Sequence, residues 1–285
     1  MRHILLSAAF AAFFTNLVFA QNKPTQAAAP TSRTTTVDKK VVTGSVLLNE
    51  KTAPDFKALL STLKTDWKFR TDSVTTNAKT LVFTTPGAMI TLAYLDYPVA
   101  PGEINAAANL SWLWHTAAQE AGRHQAQVVI SIIGSPSRVL DLYKMFTRVA
   151  GGVLESTRSS GIYMNNQYLL LSKGFYTAAA HNLLTNNSLP VYCWVHFGTA
   201  EVNGKSSGYT FGLQGFGLPE MEIVQSAHPA AEVHAVLYDA AATVVEYDTK
   251  VRDGQTLTTR EEQQLPVKMS ASAVLEGQTT AKLGF

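Results

Sequence analysis

The chain predicts an α+β fold: an N-terminal ferredoxin-like β-α-β-β-α-β lobe, then a second α+β lobe with a mainly antiparallel sheet. Three observations lead there. From Val41 to Gly134, strand-like apolar runs alternate with segments whose apolar residues recur at helical spacing. After Pro190 the text turns strand-rich, with a strong hairpin signal at Asn203-Gly204. The 285 residues are 46% hydrophobic and 15% charged, enough apolar material for one large or two ordinary globular domains.

Residues 1–20, MRHILLSAAFAAFFTNLVFA, read as a cleavable export signal. Arg2 and His3 precede an apolar core from Ile4 to Phe14, and the cut is expected after Ala20. An uninterrupted run of about ten apolar residues is too short to span a bilayer, which takes about 20. Periplasmic or secreted location is expected, with no transmembrane segment left after cleavage. Residues 21–40 are rich in Thr, Ala and Pro and read as a flexible tether. The lobes are expected at 41–189 and 190–285.

Residues 41–50 form the first predicted strand, and Pro54 opens a helix to Asp66 with Phe56, Leu59, Leu60 and Leu63 on one side. Strands over 80–85 and 88–97 flank the Pro86-Gly87 turn pair. A single helix is expected from Glu103 to Ala121, carrying Trp112 and Trp114. Residues 125–134 read as a strand buried on both faces. A helix starts at Ser135-Pro136-Ser137 and ends near Gly151-Gly152 or by Glu155. Strands over 161–164 and 168–172 and a helix over 175–184 complete the lobe.

In the second lobe, strands are expected over 191–202, 209–216 and 220–226, with an extended or bulged turn before Tyr209. A long helix over 229–247 and two closing strands follow. Cys193, the sole cysteine, cannot form an internal disulfide and reads as a buried thiol on a strand.

Several chemistries are excluded. A net charge of +2 with no Lys/Arg cluster argues against a nucleic-acid partner. Gly198 to Gly204-Lys205-Ser206 has five residues between glycines where a phosphate loop has four, and a hairpin strand follows. Gly212, Gly215 and Gly217 lead into a strand, so they make no dinucleotide fingerprint. The seven histidines form neither H-x-H nor H-E-x-x-H, and no metal or cofactor is expected. His115 and His124 read as a helix-end and an exposed loop histidine. No G-x-S-x-G elbow occurs.

Glu220 and Glu222 share one face of a strand, with Met221 and Ile223 opposite. Such a pair suits acid–base work if desolvated; the commoner role is the wet face of a half-buried strand. Trp112 and Trp114 offer an aromatic surface, although two residues apart on a helix they point differently.

VLLNE, AYLDYPVAPGEI, the W-x-W segment, YTFGLQGFGLPEMEIVQS and VRDGQTL together resemble the DUF4261 family. The resemblance runs from about Val46 to Phe285 and is most specific from Tyr209 to Gly254. It implies a bacterial α+β protein of unknown function and carries over no catalytic residue. The expected role is a non-catalytic module of the cell envelope that binds another protein or a small ligand. Its contact positions are Trp114, Tyr209, Phe216, Glu220 and Glu222. The alternatives are a hydrolase using Glu220 or Glu222 with a nearby His, and an immunity-type protein.

Overall fold

The computed structural model describes residues 39–285; the expected signal and all but the last two tether residues lie outside them. Two sheets carry the fold. The first has seven strands in the order β2-β3-β4-β5-β1-β6-β7. These are β1 (Lys40–Leu48), β2 (Val74–Thr76), β3 (Thr80–Thr85), β4 (Ala88–Leu95), β5 (Ala126–Gly134), β6 (Ser159–Met164) and β7 (Leu169–Ser172). Every neighbouring pair is antiparallel. The strand order departs from the expected ferredoxin-like lobe, whose split βαβ unit would place β4 between β1 and β3. Here β5 inserts between β4 and β1, so the element order matches while the pairing does not.

Helix α1 (Phe56–Thr65) starts two residues later than expected, because Asp55 caps it by accepting from the Lys57 and Ala58 amides. Pro54 therefore lies just outside. The expected helix over 103–121 is two pieces, α2 (Pro101–Leu110) and α3 (Ala117–Ala121). Between them the chain turns, and Ser111 donates its hydroxyl to the Leu170 carbonyl at 2.7 Å. Helix α4 (Val139–Ser156) runs past Gly151 and Gly152, where an added Cβ would meet the Trp67 ring and the Leu63 side chain. Those glycines let the end of α1 pack onto α4. Helix α5 (Lys173–Asn186) closes the lobe. Side chains alternate across the first sheet. Val46, Leu48 and Ile162 join the main core with α4, while Leu47, Tyr163 and Leu170 form a smaller one with Ile104 and Trp114.

The second sheet has six strands ordered β11-β12-β13-β10-β9-β8. They are β8 (His196–Val202), β9 (Lys205–Phe211), β10 (Met221–Ser226), β11 (Thr256–Thr258), β12 (Gln264–Ala271) and β13 (Thr279–Leu283). Only β10 and β13 pair in parallel, so the sheet is mainly antiparallel as expected. Helix α6 (Ala230–Tyr247) packs across β8, β9 and β10. Its Asp239 accepts from the Glu261 amide and pairs with Arg260 at 3.0 Å, tying the helix to the β11–β12 turn. Burial raises the Asp239 carboxyl, but bonds from Thr259, Arg260 and Glu261 outweigh it and hold it below its ordinary value.

Three local expectations are corrected in this lobe. Residues Val191–Cys193 form a short 3₁₀ turn, so Cys193 lies off the strand, although it is fully buried. The Asn203-Gly204 turn is a tight two-residue one, because Val202 pairs with Lys205 and the strand begins there. The stretch from Gly212 to Gly217 leaves the strand for a 3₁₀ turn, with positive φ of 132° and 75° at its flanking glycines. β2 and β11, three residues each, are too short to leave a period in the sequence.

The two sheets share one continuous apolar core. At their junction Phe216 stacks on Tyr143 at 4.2 Å, and the Trp194 indole N–H donates to Thr147 Oγ1 at 2.8 Å. Among the described residues no helix is long and apolar enough to cross a membrane.

Candidate functional site

The glutamates marked in the sequence are buried, at 1% exposure for Glu220 and 0% for Glu222. This overturns their placement on a wet strand face. Glu220 precedes β10, and its Oε1 accepts from the Gly212 and Gln214 amides at 2.8 and 3.1 Å. Its Oε2 accepts from the Thr210 hydroxyl at 2.8 Å, and that hydroxyl in turn accepts from the Met221 amide. The carboxylate is thus the hub of the glycine-rich turn. Burial pushes it above its usual range, while the four donors Gly212, Gln214, Thr210 and Leu213 draw it back. Glu222 accepts from Ser272, the Ala273 amide and Lys282 Nζ. None of these partners is a histidine, and neither glutamate lines the large cleft beside β8.

Trp114 and Phe216 are also interior, at 6% and 8% exposure. His124 is buried rather than an exposed loop residue; its Nε2 accepts from the Val99 amide at 2.8 Å and its Nδ1 faces the Ala121 carbonyl at 2.6 Å. Of the five expected contact residues, Tyr209 alone lines the large cleft.

That cleft, about 990 Å³, opens at the outer edge of β8. Its position follows from strand alternation. Phe197 and Thr199 face α6: Phe197 lies 5.7 Å from the rings of His234 and Tyr238, and Gly208, opposite Thr199, packs against Leu237 and Val233. His196 and Gly198 face the other way, where the Tyr209 ring lies over Gly198 and 5.8 Å from His196. An added Cβ at Gly198 would fall on that ring, so glycine is what lets Tyr209 settle there. The cleft wraps β8 and draws residues from both faces.

On the α6 side the turn after α2 supplies Trp112, which meets His234 edge-on at 4.9 Å and Tyr192 at 5.7 Å. Tyr192 stacks on Tyr238 at 4.4 Å. Trp112 is 44% exposed, so a face of its indole is open to an incoming group.

Two imidazoles line the cleft, beside Asn109, Thr199 and the tyrosines Tyr192 and Tyr209. His196 is 6% exposed and lines the cleft, and burial, with no hydrogen bond to offset it, lowers its pKa to about 4. His234 is lowered by burial as well, and its Nε2 is buried with no partner among the described residues. Both rings are neutral near pH 7, offering one N–H and one lone pair each. No Asp, Glu, Lys or Arg lines the cleft. Among the described residues no three His, Cys, Asp or Glu side chains gather as a metal site would require. The arrangement can grip rings and satisfy a few uncharged hydrogen bonds.

Fold and cleft define a two-sheet α+β protein with an aromatic, uncharged recess at a sheet edge. Residues 209–283 match the family model described as a domain of unknown function, DUF4261. The match starts at Tyr209, so it includes β10, α6 and the last three strands and leaves out β8 and Trp112. The cleft is therefore built partly inside and partly outside the matched segment. No curated protein and no solved structure was found that matches the chain.

Sequence reasoning missed His196, His234, Tyr192 and Trp112 as a group. Alternation along VYCWVHFG did carry one usable signal: a histidine and a phenylalanine on opposite faces of one strand.

Proposed function

We propose that this chain is a non-catalytic binding module, exported to the cell envelope, whose binding site is the cleft at β8. One observation carries the reading: His234, whose Nε2 is buried without a hydrogen-bond partner among the described residues, lines an aromatic recess of about 990 Å³. A buried polar group without a partner costs free energy unless a ligand or water completes it. The open Trp112 face and the absence of charge in the lining favour an uncharged, ring-bearing occupant over an ion. The hydrolase reading draws no support, because every partner of Glu220 and Glu222 is structural.

The test is an NMR titration of the full chain with N-acetyl-tyrosinamide, following the histidine side-chain resonances. Saturable movement of His234, which packs against Trp112, is expected, and Trp112→Ala should weaken binding roughly two- to tenfold, the worth of one aromatic contact. Unmoved histidines at saturating probe contradict the assignment. Export is checked separately by N-terminal sequencing of protein recovered from the envelope fraction, with Gln21 expected first.

A further inference from the structure

We infer that the cleft takes an uncharged, extended peptide segment that adds to β8 as a seventh strand. Its consecutive side chains enter the His196 side and the Trp112 side in turn. The inference rests on the cleft being the binding site and adds how the occupant is held.

Three observations carry it. The second sheet ends at β8, and among the described residues no backbone group pairs with that strand except from β9. Such an edge offers a row of unpaired N–H and C=O groups, the template for strand addition. The cleft, moreover, lies on both faces of β8: His196 and Tyr209 on one, Trp112 and His234 on the other. A compact molecule fits against one face. An added strand sends successive side chains to opposite faces and so reaches both. The lining, finally, holds no charged side chain, so a charged residue entering it would be stripped of water without a partner. Charge complementarity therefore selects uncharged side chains at two successive positions, with a ring suited to the Trp112 side.

The experiment uses the full chain and an acetylated, amidated hexapeptide of alternating tyrosine and threonine. Two companions carry N-methyl groups on the odd or on the even backbone amides. The unmodified peptide is expected to move the His196 and His234 resonances. It should also slow amide hydrogen exchange at alternate positions of β8 by tenfold or more. One methylated companion should bind at least tenfold more weakly than the other, because only one set of amides faces the strand. If both companions bind as well as the parent, strand addition is overturned while the cleft remains a ring-binding site. Should neither the peptide nor N-acetyl-tyrosinamide move the histidines, the cleft reading falls and this inference with it. A free chain that is dimeric with its β8 amides already protected also overturns it, since a second copy then occupies the edge.

Discussion

At the scale of single residues, buried polar groups decide most. Glu220 satisfies two backbone amides and a hydroxyl at the turn that leads out of β9. Glu220→Ala should cost about 3 kcal/mol in urea unfolding, because those donors stay buried without an acceptor. Glu220→Gln keeps an acceptor oxygen and should recover part of that loss. His196 sets a pH dependence of definite sign. Its pKa is about 6.5 unfolded and about 4 in the fold. The unfolded chain therefore takes up the proton first, and stability falls as pH drops through that window. His196→Gln should flatten this limb of a thermal-stability profile between pH 7 and pH 4. An unchanged slope would place the cause elsewhere. The sequence showed both glutamates but not their state. Glu222 meets Lys282 across 60 positions, a pairing no local pattern carries. Alternation was read as wet against dry, yet Glu222 sits in mid-sheet between β9 and β13 and is covered by Ser272, Ala273 and Lys282, although Val224 two residues on is exposed.

Among elements, the broken helix between α2 and α3 matters most. Apolar spacing from Ile104 to Leu113 reads as one continuous helix, but Ser111 leaves helical geometry at ψ 86° to reach the Leu170 carbonyl on β7. The break separates the two tryptophans by role. Trp114 fills the smaller core, and Trp112 reaches α6 and the cleft. Trp114→Ala should therefore cost about 3–5 kcal/mol, in the range of large core truncations, whereas Trp112→Ala should cost under about 1 kcal/mol. Equal losses on denaturation would mean that both serve packing alone. Most elements were legible because their periods are strong; α4, α6, β3, β4 and β5 lie within a few residues of expectation. The short 3₁₀ turns at Val191–Cys193 and Leu213–Phe216 were read as strand because aromatic and β-branched residues favour both readings over so few positions.

For the whole molecule, two sheets share a single core, so the lobes are expected to unfold together. The Tyr143–Phe216 stack and the Trp194–Thr147 bond lie across their junction. Chemical unfolding should show one transition by both tryptophan fluorescence and circular dichroism, and a fragment covering 190–285 alone should fail to fold. Two separated transitions would contradict this. Strand order was the least legible feature, since β5 enters between β4 and β1 through contacts far apart in the chain. The cleft was hidden for the same reason: its walls come from α2, β8 and α6. The central claim, that the edge of β8 is where this protein binds, is tested most directly by mapping amide and side-chain shifts across the full chain with the capped tyrosine–threonine peptide. Shifts that peak at Trp112, His196, Phe197 and His234 are predicted. Shifts that peak at the Gly212–Glu220 turn or scatter over the surface would contradict it.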